Sequence, residues 1–174
     1  MSTVDYLVRL LYPLGLPEPT ADGPPDLPLP ADVRELLTRL GANGFAVDNR
    51  FHFTVSERLP ENSRSHRDDL RWAHESDEIT IVGDRISYRG GDGDYRVVFS
   101  DLLFVGSDDN GFDLYWEAVG DPDGWALLAD GRGRWARHEM PTVDYLYGLL
   151  SGSLRCPVFT LRDWPEDDLE VVPT

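Results

Sequence analysis

The residues of this chain that could do chemistry are its histidines, its single cysteine and its many acids. The histidines are His52, His66, His74 and His138. Their spacing matches no zinc motif such as His-Glu-x-x-His, and Pro141 shortly after His138 excludes a metal-binding helix there. Cys156 precedes Pro157 beside an apolar run, which is typical of a packed thiol, and no Gly-x-Ser-x-Gly sequence presents a serine nucleophile. We therefore expect no catalytic residue, no metal ligand and no cofactor.

The acids are most concentrated around one predicted hairpin. Alternation along the strand Phe112–Val119 places Asp113, Tyr115 and Glu117 on one face, opposite the apolar residues of that strand. Acidic side chains and an aromatic ring would then share a surface. Two interpretations stay open: a solvated outer face of a sheet, or a protein-binding face on which charge steers a partner and an aromatic side chain anchors it. The candidate partner-binding residues are Asp108, Asp109, Asp113, Tyr115, Glu117 and, in a neighbouring turn, Asp92 and Asp94.

The same hairpin matches a calcium-binding loop only in part. When Gly111 is placed at the sixth loop position, Asp108 takes the third and Glu117 the twelfth. Gly106 then takes the first position, where the motif has Asp, and the flanking segments read as strands where the motif requires helices. We expect a polar turn there and no calcium site.

Charge excludes several classes of partner. The chain of 174 residues carries 16 basic and 32 acidic residues, a formal net charge of −16, so phosphate backbones and anionic lipid surfaces would repel it. All the basic residues are arginine, which removes lysine Schiff-base and P-loop chemistry. We expect no direct binding to nucleic acid or membranes, whereas a cationic protein partner is allowed.

The chain is expected to be a cytoplasmic protein. Its single cysteine cannot form an internal disulfide, which fits a reducing compartment. The first 16 residues lack the basic start and long apolar run of a signal peptide, and no stretch reaches the roughly 18 apolar residues that span a bilayer.

Apolar residues spaced three and four apart predict three helices. These cover Thr3–Leu11 with Thr3 as N-cap, Pro30–Leu40, and a last helix that follows Pro141. The first and last helices share seven of nine residues, for which two similar capped helices are the simplest interpretation. The segment from Tyr12 to Pro30 contains seven prolines, counting Pro30, and they predict an extended connector.

Between the second and last helices the apolar period changes from 3.6 to 2, which predicts strands. The predicted strands are Phe51–Val55, Ile79–Val82, Arg85–Arg89, Tyr95–Phe99, Leu102–Val105, Phe112–Val119, Trp125–Ala129 and Arg134–Arg137. Gly83–Asp84 predicts a two-residue hairpin turn, and the polar segment Glu61–Asp77 a surface loop with or without a short helix. The expected fold is α+β, with an antiparallel or mixed sheet of about five to seven strands in a meander and helices packed on one face.

Three stretches resemble a known family. They are Leu29-Pro-Ala-Asp-Val-Arg-Glu-Leu-Leu-Thr-Arg-Leu-Gly-Ala-Asn-Gly44, Phe99-Ser-Asp-Leu-Leu-Phe-Val-Gly-Ser-Asp-Asp-Asn-Gly-Phe-Asp-Leu-Tyr-Trp116 and Pro141-Thr-Val-Asp-Tyr-Leu-Tyr-Gly-Leu-Leu-Ser-Gly152. The first is similar to a proline-started helix that ends in an Asn-Gly turn, the second to two strands around a Gly-Ser-Asp turn, and the third to a closing helix. In these features the chain resembles the SUKH superfamily, the Smi/Knr-like group of fungal cell-wall regulators and bacterial toxin-immunity proteins.

The resemblance implies a domain organisation and a function. It implies an SUKH-like domain over residues 29–154, preceded by a helix and Pro-rich arm (1–28) and followed by a C-terminal extension (155–174). The implied function is that of a non-enzymatic immunity protein, which binds and neutralises a cognate polymorphic toxin, often a nuclease, through an acidic surface. The alternative is an intracellular regulatory scaffold that recruits protein partners. The motifs of the family are structural, so no catalytic residue is carried over.

Overall fold

The structure is a computed structural model that describes residues 1–19, 23–48, 50–73, 79–90, 93–131, 134–159 and 170–174. Its helices are α1 (Thr3–Leu11), α2 (Ala31–Leu40), α3 (Leu59–Ala73) and α4 (Thr142–Leu150). Its strands are β1 (Gly44–Val47), β2 (Phe51–Thr54), β3 (Ile79–Val82), β4 (Arg85–Gly90), β5 (Gly93–Val98), β6 (Leu102–Asp108), β7 (Asp113–Glu117), β8 (Ala126–Asp130), β9 (Trp135–His138) and β10 (Val171–Pro173).

The strands form two antiparallel sheets. Seven strands pair in the order β10-β1-β2-β6-β7-β8-β9, and β3, β4 and β5 form a separate three-stranded sheet. The predicted α+β class with an antiparallel sheet is confirmed, and so is the hairpin between β3 and β4, where Gly83 has a φ of 63°. The single continuous meander was wrong: β2 pairs directly with β6, which leaves the three intervening strands to pair among themselves.

One face of the seven-stranded sheet carries the main core. Helices α1, α2 and α4 bury apolar stripes there against alternate residues of the strands, such as Phe53, Trp116 and Leu127. The helices that begin at Pro30 and Thr142 therefore lie on the same face, as their periodicity predicts. Cys156 is a buried free thiol in this core.

The opposite face of the sheet carries a second core that was not expected. Leu70 of α3 and residues of the three-stranded sheet, such as Ile86 and Val97, pack there against Tyr115 and Leu128. Helix α3 covers much of the segment Glu61–Asp77, in which no long helix was predicted; residues 74–78 lie outside the described residues.

Polar side chains hold α3 to the sheet, which explains why its sequence resembled a loop. The buried Ser63 donates to the Leu59 carbonyl oxygen at 2.5 Å and accepts from the Phe104 amide at 2.9 Å. Arg67 Nη1 donates to the Leu102 carbonyl oxygen at 2.9 Å. An inward face built from such residues carries little hydrophobic periodicity.

Helix α1 packs within its own chain, against α4 and α2. Its N-cap is Ser2, in a capping box with Asp5, whereas Thr3 is already helical. Val4, Leu7 and Leu11 of the predicted stripe are buried. The C-terminal segment contributes β10, an edge strand beside β1 that was not predicted. Among the described residues, none of the helices combines the length and the apolar character needed to cross a bilayer.

Candidate protein-interaction surface

The hairpin between β6 and β7 is shaped by two residues of the Gly-Ser-Asp turn. Gly106 lies so close to β2 that a Cβ there would be 2.5 Å from the His52 carbonyl oxygen. Asp108 is buried, and its Oδ1 accepts from the amides of Asn110 and Phe112, both at 2.9 Å. Gly106 therefore allows β6 to pair closely with β2, whereas Asp108 builds the turn and its charge is used inside it.

Asp109 lies at the exposed tip of this turn. Its amide donates to the Arg50 carbonyl oxygen at 2.9 Å, which holds the tip against the β1–β2 connection. Its carboxylate accepts from Asn110 Nδ2 at 3.3 Å and faces solvent. Asp109 is therefore an acid of the predicted set that a partner could reach directly.

Tyr115 does not lie on an exposed surface, so its predicted place beside accessible acids was wrong. Its side chain is 0% exposed within the second core, and its hydroxyl donates to Asp113 Oδ2 at 2.9 Å. Burial raises the pKa of Tyr115, and the carboxylate of Asp113 raises it further, so the phenol stays protonated. The alternation along β7 was read correctly, but α3 and the second sheet cover that face.

Asp113 lies between Tyr115 and His66 of α3. His66 Nδ1 is 3.5 Å from Asp113 Oδ2, and the imidazole stacks on Phe104 with ring centroids 3.5 Å apart and planes 6° from parallel. Asp113 thus joins the imidazole of α3 to the phenol of β7, and these contacts help to hold α3 on this face of the sheet.

Glu117 is paired inside the sheet. One of its oxygens, Oε2, accepts from Arg137 Nε at 3.0 Å and from Arg137 Nη2 at 2.9 Å, and Arg137 also pairs with Glu139. The charge of Glu117 is thus largely compensated. Asp94 lies in β5 opposite Arg89, and Asp92 falls outside the described residues. The predicted residues therefore do not form one continuous exposed acidic face.

A groove that was not predicted lies between α2 and the β7–β8 turn. This α2 groove has a volume of about 580 Å³ and is lined by Leu29, Arg34, Glu35, Arg39 and residues 121–123, among others. Asp123 Oδ1 accepts from the Ala31 amide at 2.6 Å and so caps α2 from the turn. The sequence marks one side of this groove with the turn-forming residues Asp121-Pro-Asp-Gly124. The fold places that turn beside the start of α2.

The arginines of the α2 groove already have partners in the chain. Arg39 pairs with Asp5 of α1, and its Nη2 lies 3.3 Å from Glu35 Oε1. Arg34 Nη2 donates to the Leu27 carbonyl oxygen at 2.7 Å. The charge of Arg39 is thus offset by carboxylates, whereas Asp121 is exposed and accepts from the Asp123 amide of its own turn at 3.1 Å.

A smaller cavity of about 200 Å³ adjoins the groove where α2 and α4 begin. Asp32 links the two helices: its Oδ1 accepts from the Val33 amide at 2.8 Å and its Oδ2 from the Val143 amide at 2.7 Å. Burial raises the pKa of Asp32, the hydrogen bonds from the Val143 and Val33 amides oppose this rise, and the charges of Asp144 and Asp123 add to it.

The described part of the chain contains no group of three histidine, cysteine, aspartate or glutamate residues that could hold a metal ion. Comparison with protein-family models, with curated proteins and with solved structures finds no match to this chain.

Proposed function

We propose that this chain is a non-enzymatic immunity protein that binds and neutralises a cognate protein toxin through acidic surface groups. The observation that carries the proposal is the excess of acid, a net charge of −16, with exposed carboxylates such as Asp109 and Asp121 on the turns around the sheet. The resemblance to the SUKH superfamily supplies the class of function. A cationic protein is the partner that this charge would attract.

The toxin is proposed to be an enzyme that acts on a polyanion, such as a nuclease. An enzyme of that kind needs a cationic cleft to hold phosphates. An acidic protein that covers the cleft would block the active site without any chemistry of its own. Long-range attraction would raise the association rate and disfavour partners of the wrong charge. The proposed site of action is the cytoplasm.

The test begins with the partner. The full chain is purified from its native host with its bound proteins, which mass spectrometry identifies, and open reading frames next to its gene are examined for a toxin. The candidate toxin is then assayed with increasing amounts of the chain. We expect activity to fall to zero near one molar equivalent. A stable complex in which the partner keeps full activity would refute neutralisation and favour the regulatory scaffold.

A further inference from the structure

We propose that the α2 groove is the docking site for an arginine-bearing loop of the partner protein. The inference rests on the proposed function for the nature of that partner, and it assigns the contact to a surface outside the β6–β7 hairpin. In the proposed complex the guanidinium lies among the carboxylates of Glu35, Asp121 and Asp123.

The shape of the groove suits an inserted side chain. It has a volume of about 580 Å³ and is wide open to solvent, so a side chain on a surface loop of a partner can enter it without any rearrangement of the chain. Leu29 and Pro122 line it and offer apolar surface for the aliphatic stem of an arginine. Asp109, by contrast, is exposed at the tip of the hairpin turn, and it lines neither the groove nor the adjoining cavity.

The charges of the groove favour a cation from outside. Its lining holds three carboxylates and two guanidiniums, but Asp5 of α1 adds a fourth carboxylate that pairs with Arg39. Arg34 is turned to the Leu27 carbonyl oxygen. An additional cation would therefore meet net negative charge, since carboxylates outnumber guanidiniums.

The adjoining cavity supports the same sign of charge. Asp32 and Asp123 both line it, so it adds a carboxylate to those of the groove. A cation bound nearby would be attracted to these carboxylates. Arginine fits better than lysine, because the planar guanidinium group can donate to two carboxylate groups at once. It is also more weakly hydrated than the ammonium group of lysine.

The experiment is a titration of the full ¹⁵N-labelled chain, followed by amide chemical shifts. The probe is the blocked pentapeptide Gly-Gly-Arg-Gly-Gly, and its control is the same peptide with neutral citrulline in place of arginine. We expect shifts of the amides of residues 31–39 and 121–124 with the arginine peptide alone. Shifts centred on Asp109, equal shifts with the citrulline peptide, or no shift up to the solubility limit of the peptide would each overturn the inference.

Matched variants locate the contact. Glu35→Gln with Asp121→Asn removes two charges while leaving an oxygen at each position, and Asp109→Asn is the control at the hairpin tip. Since an exposed charge pair contributes about 0.2–1 kcal/mol and the double variant removes two, it should bind the arginine peptide roughly 2- to 30-fold more weakly. The Asp109 control should bind it as the unmodified chain does. An unchanged affinity in the folded double variant would contradict the assignment.

Failure of the inference can be told apart from failure of the proposed function, because the peptide titration does not use the toxin. If the toxin is neutralised and the double variant associates with it at an unchanged rate, the groove is not the docking site and the proposed function stands. If the arginine peptide binds in the groove and the captured partner is not inhibited, cation recognition by the groove stands and toxin neutralisation fails.

Discussion

Ser63 offers the sharpest test of how α3 is held on the sheet. Its side chain is 0% exposed, and its hydroxyl accepts from the Phe104 amide of β6 at 2.9 Å while donating to the Leu59 carbonyl oxygen. Ser63→Ala removes the acceptor and leaves a half-buried N–H in β6 with no partner. The matched control is Ser65→Ala, on the exposed side of the same helix.

The size of the effect follows from the environment of that amide. An unsatisfied buried donor costs about 1–3 kcal/mol, and partial exposure of the Phe104 amide places the expected loss near the lower end, about 1–2 kcal/mol. Alanine has a higher helix propensity than serine, so each substitution stabilises α3 by the same few tenths of a kcal/mol. The difference in unfolding free energy between the two variants therefore reports the hydrogen bonding lost at Ser63. For a chain of this size the loss corresponds to about 2–8 °C in Tm.

Thermal and urea unfolding of the two variants measures this difference. We expect Ser63→Ala to unfold at a lower temperature and lower urea concentration than the unmodified chain, and Ser65→Ala at the same values or slightly higher ones. Equal stabilities for the two variants would refute the reasoning, because they would mean that the hydroxyl of Ser63 does not satisfy the strand amide.

Three further predictions concern charge and binding. The Arg39 guanidinium holds the pKa of Asp5 at about 2, below 3.8, so the stability from this pair is present above pH 3.8 and is lost as the pH falls through about 2. Asp5→Asn should therefore flatten the acid dependence of Tm over that window, and an unchanged curve would contradict the contact. Tyr115→Phe should lose about 1.5–3 kcal/mol of unfolding free energy, measured in urea, because the hydrogen bond to the Asp113 carboxylate is lost. It should leave affinity for the proposed toxin unchanged, whereas a large loss of affinity would place Tyr115 at the interface. Asp109→Arg should slow association with the proposed toxin at low ionic strength in stopped-flow mixing, and an equal rate would exclude the hairpin tip from electrostatic steering.

The helices α2 and α4 and most strands were predictable, because their signals lie within a few residues. A proline at the start, an apolar stripe at helical spacing and a glycine at the end define α2 without reference to any other segment. The hairpin between β3 and β4 depends in the same way on Gly83 and on the alternation around it.

Helix α3 and the α2 groove could not be read from local patterns. The inward face of α3 includes Ser63 and Arg67, whose partners are backbone atoms of β6. The α2 groove joins a helix to a turn some ninety residues later, through the Asp123 carboxylate and the Ala31 amide. Hydrophobic periodicity does not indicate such hydrogen bonds, because each one joins segments that are far apart in the sequence and meet only in the folded chain.

The sequence by itself determined the α+β class, the acidic charge and the alternation that separates Asp113, Tyr115 and Glu117 from Leu114 and Trp116 on β7. Only the tertiary structure decided which of these side chains meet solvent. Alternation assigns residues to two faces, but exposure depends on what covers each face. Here α3 and the three-stranded sheet bury the face that looked like an outer surface: polar contacts to backbone atoms of β6 hold α3 there, and apolar residues of the three-stranded sheet pack against Tyr115 and Leu128.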